Sequence, residues 1–93
     1  MVIQRAARAG TLESSDISVT VLPGGEGIQI NLVSSVEKQF GDSIRTVIRE
    51  VAEEIGVENV TIEAVDRGAL ECTIRARVET ALKRSLIHEE EKK

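Results

Sequence analysis

Ser34-Ser35-Val36-Glu37-Lys38-Gln39-Phe40-Gly41-Asp42-Ser43-Ile44-Arg45-Thr46-Val47-Ile48-Arg49-Glu50-Val51-Ala52-Glu53-Glu54-Ile55-Gly56 decides the fold class. Val36, Phe40, Ile44, Val47, Ile48, Val51, Ala52 and Ile55 recur at steps of three and four. Glu37, Lys38, Asp42, Arg45, Arg49, Glu50 and Glu53 fill positions between them. Such spacing gathers the apolar side chains into one stripe, so it predicts an amphipathic helix over 36–55. Ser34 to Glu37 has the spacing of a capping box, with Ser34 accepting from a first-turn amide and Glu37 reaching back. Gly56 is placed to close the helix in a left-handed conformation.

On either side the period changes from 3.6 to 2. Upstream, Ile17, Val19 and Val21 alternate with Ser18 and Thr20, and Ile28, Ile30 and Leu32 alternate with Gln29 and Asn31. Pro23-Gly24-Gly25-Glu26-Gly27 lies between these two strands and reads as a hairpin turn. Downstream, Val60, Ile62 and Ala64 form a third strand, Asp66-Arg67-Gly68 a turn, and Leu70, Cys72 and Ile74 a fourth strand. Val78, Ala81, Leu82 and Leu86 return to helical spacing. Residues 1–11 are basic and unpatterned and read as an N-terminal arm. Residues 87–93 read as a solvated charged tail. The expected fold is α+β, with residues 1–93 forming one domain. It is a two-layer sandwich in the order β-β-α-β-β-α, with a mainly antiparallel sheet of two hairpins and both helices on one face.

Composition narrows the function. At 93 residues the chain has room for one modest core, and with Phe40 its lone aromatic that core must be aliphatic. A net charge of -4 argues against nucleic acid, which is bound through Lys and Arg on phosphates. Stacking aromatics for single strands are missing as well. No apolar run approaches the ~20 residues that span a bilayer, and no apolar segment follows Arg5 and Arg8 to make a secretory signal. One cysteine excludes an internal disulfide and fits a reducing, cytoplasmic setting. An acidic small domain is suited to docking on basic surfaces of partner enzymes.

Few residues offer chemistry. In Gly10-Thr11-Leu12-Glu13-Ser14-Ser15-Asp16, two serines sit in a polar segment ahead of the first strand. An exposed hydroxyl there could hold a covalent group through a phosphodiester. No general base stands beside it, so that chemistry would belong to a modifying enzyme. The local residues fit a plain polar loop better, and they do not separate Ser14 from Ser15. Asp42-Ser43-Ile44 resembles the Asp-Ser-Leu attachment motif of conventional acyl carrier proteins. Those are all-helical bundles with the serine at a helix start, whereas Ser43 falls inside a helix flanked by strands. Cys72, on the apolar face of the fourth strand, reads as a small buried hydrophobe. His88 has no second ligand for a metal set. Arg67, Arg75, Arg77, Lys83 and Arg84 make the C-terminal half basic, as a solvated face or as a patch for a phosphate or partner. With no nucleophile–base pair and no metal set, the chain reads as a non-enzyme.

Three blocks add what local chemistry lacks. Gly10-Thr11-Leu12-Glu13-Ser14, Ser34-Ser35-Val36-Glu37-Lys38-Gln39-Phe40-Gly41-Asp42, and Gly68-Ala69-Leu70-Glu71-Cys72 followed by Arg75-Ala76-Arg77 closely resemble the citrate lyase acyl carrier proteins, the gamma chains of citrate lyase. The resemblance runs from residue 6 to residue 84, or thereabouts. It implies that Ser14, rather than Ser15 or Ser43, carries 2'-(5''-phosphoribosyl)-3'-dephospho-CoA through a phosphodiester. It also implies that the cofactor brings the thiol, so that the chain needs no reactive cysteine. In such a complex one partner subunit exchanges acetyl for citryl on that thiol. A second partner releases oxaloacetate and restores the acetyl carrier. The implied partners are the alpha and beta subunits, with a cofactor transferase and an acetylating ligase engaged transiently, and neither nucleic acid nor membrane. The carrier of malonate decarboxylase uses the same kind of cofactor, and the 34–42 block favours citrate lyase over it. Lacking a covalent group, the chain would be a protein-interaction module. The family more often has glycine where Ser15 stands, which implies a stiffer attachment turn here.

Overall fold

Val and Ile at every second position press the middle of the sheet into the core. In the computed structural model, which describes residues 3–86, the elements run β1 (Ala7–Gly10), β2 (Ile17–Pro23), β3 (Ile28–Ser34), α1 (Glu37–Ile55), β4 (Val60–Asp66) and α2 (Glu71–Leu86). They form a single sheet in the order β1-β2-β4-β3. β2 pairs antiparallel with both β1 and β4, and β3 pairs parallel with β4. Register aligns Ala9, Val19, Ala64 and Leu32 across all four strands, and Ala7, Val21, Ile62 and Ile30 beside them. Strand period then gives all eight one face, where Val19, Val21 and Ile62 are fully buried. α2 lies against β1 and β2, α1 lies against β3, and the helices pack on each other. Ile44, Val47, Ile48, Val51 and Ala52 of α1 meet Ile74, Val78, Ala81 and Leu82 of α2 in one aliphatic core.

The α+β class, the mainly antiparallel sheet and the two helices match expectation, but the order is β-β-β-α-β-α and the connections differ. The 17–21 and 28–32 strands are not a hairpin, because β4 lies between them. Alternation assigns a strand's faces, not its neighbours. The Gly24–Gly27 loop is tied to β4 instead: the Gly27 amide donates to Asn59 Oδ1 (2.9 Å) and the Val60 amide to the Gly27 carbonyl (3.1 Å). The passage from β3 to β4 spans a 19-residue helix, the kind of crossover that parallel neighbours require.

The fourth strand expected at 70–74 is the entry to α2. Ile74, Val78, Ala81, Leu82 and Ser85 are buried, a helical set, while Leu70 and Cys72 face solvent. Three alternating apolar residues were too short a run to distinguish the two periods. Cys72 is therefore exposed on a helix rather than buried on a strand. Within the expected N-terminal arm, residues 7–10 form β1, an edge strand of only four residues whose inward side chains are Ala7 and Ala9. The capping box is absent: α1 begins at Glu37, and Ser34 ends β3. Its hydroxyl accepts from the Val36 amide (3.1 Å) and donates to Asp66 (2.8 Å), while Glu37 pairs with Arg45. Gly56 closes α1 at φ 92°, its amide donating to the Ala52 carbonyl. The tail at 87–93 lies outside the described residues.

Candidate functional site

The Ser14 segment is the turn of the β1–β2 hairpin. The hairpin begins with a backbone contact that only glycine permits. Gly10 has φ 91°, and a Cβ there would lie 1.8 Å from the Ile17 carbonyl oxygen. Asp16 then organises the turn from within. Its carboxylate accepts from the Thr11 hydroxyl (2.6 Å) and the Ile17 amide (2.7 Å), and from Arg77 Nε and Nη2 (3.0 Å each) as a bidentate pair. Thr11 Oγ1 also accepts from the Glu13 amide, and the Glu13 carbonyl accepts from the Asp16 amide. The Arg77 guanidinium, then Thr11 and the Ile17 amide, hold the Asp16 carboxyl well below the usual carboxylate range.

A second loop braces the turn from the side. The Ser15 amide donates to the Arg67 carbonyl (2.8 Å), the Arg67 amide to the Asp16 carbonyl (2.9 Å), and Arg67 Nη1 to the Leu12 carbonyl (3.1 Å). Asp66, 1% exposed, fixes that bracing loop by accepting from the Gly68 and Ala69 amides. Ser15 adopts φ 65°, a left-handed conformation uncommon for serine. Ser14 is exposed, and its hydroxyl is engaged by none of the described residues. The turn is thus held through Thr11, Glu13, the Ser15 backbone and Asp16, while the exposed Ser14 and Ser15 hydroxyls are engaged by none of the described residues.

The other candidates lie elsewhere. Ser43 sits in α1, exposed on the rim of an apolar groove between the two helices. Cys72 is in the first turn of α2, and His88 lies outside the described residues. The expected basic patch is mostly spent on internal contacts. Arg75 pairs with Glu50 and Glu71, Arg77 with Asp16, and Lys83 with Glu79, while Arg84 donates to the Arg8 carbonyl. Arg67 keeps its charge unneutralised by any carboxylate among the described residues. No group of three His, Cys, Asp or Glu side chains that could hold a metal occurs among those residues. Nor is any helix among them long and apolar enough to cross a membrane.

Residues 4–85 match the acyl carrier family model described as malonate decarboxylase delta subunit (MdcD). Relatives named citrate lyase acyl carrier protein match across most of their length. The Halothermothrix orenii protein is 54% identical over 85 residues, 91% of this chain and 90% of the relative. The Streptococcus mutans protein is 56% identical over 86 residues, 91% and 84% of the two chains. The chain belongs to the citrate lyase acyl carrier protein family. It is an acyl carrier subunit, a carrier rather than a catalyst. A chain in the crystal structure of a Pseudomonas malonate decarboxylase hetero-tetramer in complex with malonate shares its fold. The TM-score is 0.77 at 21% identity, covering 90% of this chain and 87% of that one.

Sequence reasoning missed the frame of this carrier's turn: Thr11, Asp16, Asp66 and Arg77. The only local signal was two aspartates at strand ends, and their long-range partners, Arg77 for Asp16 and Ser34 for Asp66, come from distant elements.

Proposed function

We propose that this acyl carrier serves citrate lyase, bearing 2'-(5''-phosphoribosyl)-3'-dephospho-CoA on Ser14 and working between the alpha and beta subunits in the cytoplasm. The observation that carries this reading is the Ser14 hydroxyl itself, exposed and engaged by none of the described residues, on a turn whose backbone is tied down. The residues present fit a phosphodiester there. Arg67 crosses the same turn with a guanidinium that no carboxylate among the described residues pairs, and arginine suits phosphate oxygens. The chemistry that the bound group supplies is a thiol able to hold an acyl chain.

This chain's own part is to present and to orient. Ser14 Oγ is the nucleophile toward the transferase: its proton leaves to a base of that enzyme, the O–P bond forms, and the bond from that phosphorus to the donor's own leaving group breaks, the leaving group departing with the donor's electron pair. Asp16 is a poor base for the purpose, because Arg77 and Thr11 hold it as the anion. The fixed turn keeps the root of the arm in one place, so the far end samples a limited volume shared with both partner sites. That confinement raises the effective concentration of the carried group.

The test is intact mass after co-production with the cofactor-synthesising and cofactor-transferring enzymes, beside Ser14→Ala. A mass gain of the phosphoribosyl-dephospho-CoA group on the wild type alone is expected. A gain on both moves the site to Ser15 or Ser43. No gain on either, with a transferase active on another carrier, refutes the reading. The description of the matching family model favours a second reading, service to malonate decarboxylase. Exchange of the loaded carrier into complexes with citrate lyase or malonate decarboxylase subunits separates the two.

A further inference from the structure

Five large apolar side chains stand out in solvent, and all five are at the end of the sheet that bears the β1–β2 turn. Leu12, Val33, Phe40 and Leu70 are more than half exposed and Val65 more than a third, and no other large apolar side chain among the described residues is as open. Leu12 lies in the turn itself, Leu70 just before α2, and Phe40 in the first turn of α1. Val33 and Val65 are partners one residue from the ends of β3 and β4, on the sheet face away from the helices. The chain itself bounds the distances. The Ser15 amide nitrogen is 2.8 Å from the Arg67 carbonyl oxygen, and Val65 and Leu70 are close neighbours of Arg67 along the chain. At ~3.8 Å per Cα step, Val65 lies within roughly 15 Å of Ser14 and Leu70 within roughly 19 Å.

Apolar surface gathered in one place marks an interaction site. We infer that this apolar end is the docking surface for the enzyme that attaches the group to Ser14. The inference rests on Ser14 being the attachment site. Chemistry selects the occupant. An enzyme that forms the O–P bond must bring its active site onto Ser14 Oγ, so its surface must cover this end. A standard footprint, ~800 Å² on each side, reaches roughly 16 Å from its centre, far enough to take in this apolar surface. The alpha and beta subunits act on a thiol at the far end of the arm and need no such approach. Charge selects the same occupant. Asp16 is paired with Arg77, Glu37 with Arg45 and Glu71 with Arg75, while Arg67 and the exposed Glu13 have no ion-pair partner among the described residues. Arg67 complements the phosphates of the donor. An enzyme that holds an anionic donor presents cationic side chains, which complement Glu13 and the net charge of -4. A second copy of the chain would be repelled by that same charge.

The experiment is steady-state loading kinetics of the wild type, Leu12→Gln, Leu70→Gln and Val33→Thr, each checked for fold by circular dichroism. The reaction contains the cofactor-transferring enzyme, with the product of the cofactor-synthesising enzyme as donor, and intact mass is the readout. All three substitutions are at exposed positions. Each is expected to lower kcat/KM for the carrier by roughly three- to tenfold. The loss should lie chiefly in KM, so that the rate recovers at saturating carrier. Loading kinetics unchanged in all three variants overturn this inference and leave the proposed function standing, and so does a loss confined to kcat. Unchanged loading joined to slower citrate cleavage by the loaded variants, with the alpha and beta subunits present, also overturns it and gives the surface to those subunits. A wild type that gains no mass, with the transferase active on another carrier, sinks both.

Discussion

Asp66→Asn tests whether one buried carboxylate sets the geometry beside the β1–β2 turn. Asp66 is 1% exposed at the end of β4. Its Oδ2 accepts from the Ser34 hydroxyl (2.8 Å) and the Gly68 amide (3.1 Å), and its Oδ1 accepts from the Ala69 amide (3.0 Å). Asparagine keeps one acceptor oxygen and turns an NH2 group toward donors. The Ala69 bond can survive and the Ser34 hydroxyl can turn to accept from the NH2, but both become neutral bonds, and the Gly68 amide loses its acceptor and faces another donor. Hydrogen bonds to a charged group contribute ~1.5–3 kcal/mol each, and a buried amide is cheaper to desolvate than a carboxylate. The expected loss is about 3 kcal/mol. For a domain of this size each 1 kcal/mol moves the melting temperature by roughly 4–8 °C, so the fall should be about 12–24 °C. Far-ultraviolet circular dichroism is the assay, since the chain has no Trp or Tyr to report by fluorescence. Ser34→Ala, which removes one donor to the carboxylate and the acceptor of the Val36 amide, should cost about 2 kcal/mol. An Asp66→Asn protein melting within about 4 °C of the wild type would refute the assignment of Asp66 as the anchor.

Two further outcomes concern the turn. Ser15→Gly relieves a left-handed residue, which costs ~1–2 kcal/mol, against the ~0.5–1 kcal/mol that glycine's extra chain entropy takes back. A rise of roughly 2–8 °C in melting temperature is expected, and a fall would mean that the φ of 65° carries no strain. Asp16 gives the turn a pH dependence. Its folded carboxyl is depressed chiefly by Arg77, so its contribution is complete above the ordinary Asp value of about 3.9 and is lost as the pH falls below that. Urea unfolding from roughly pH 5 to pH 2 should show the wild type losing stability faster than Asp16→Asn. Parallel losses in the two proteins would contradict the Arg77 pairing.

The periodicities held where they were long. The eight-residue stripe of 36–55 became α1 almost to the residue, and the alternations at 17–21, 28–32 and 60–64 all became strands. What alternation could not carry was adjacency, because a period of two assigns faces and leaves neighbours open. β4 therefore entered between strands that read as a hairpin. The short elements failed for another reason. Ala7 to Gly10 is a strand because β2 offers it an edge, and no pattern within four residues announces that. Leu70 to Ile74 satisfied strand period by accident, while the real constraint came from Asp66, whose carboxylate accepts from the Gly68 and Ala69 amides just before α2.

The β1–β2 turn was legible only as far as its hydroxyls. Local chemistry left Ser14 and Ser15 equal, and the family resemblance alone favoured Ser14. Both hydroxyls are exposed and engaged by none of the described residues, and the two serines differ in backbone: Ser15 is tied by its amide to Arg67 and held left-handed. The residues that hold the turn lie far along the chain, Arg77 61 positions beyond Asp16 and Arg67 55 beyond Leu12. No window short enough to read as a motif contains both partners. That separation has a physical use. A turn held only by its own residues could shift with the arm it bears, whereas one held from α2 and from the β4–α2 loop takes its position from the core. The serine hydroxyls at the tip can then stay exposed while the backbone beneath them keeps its place.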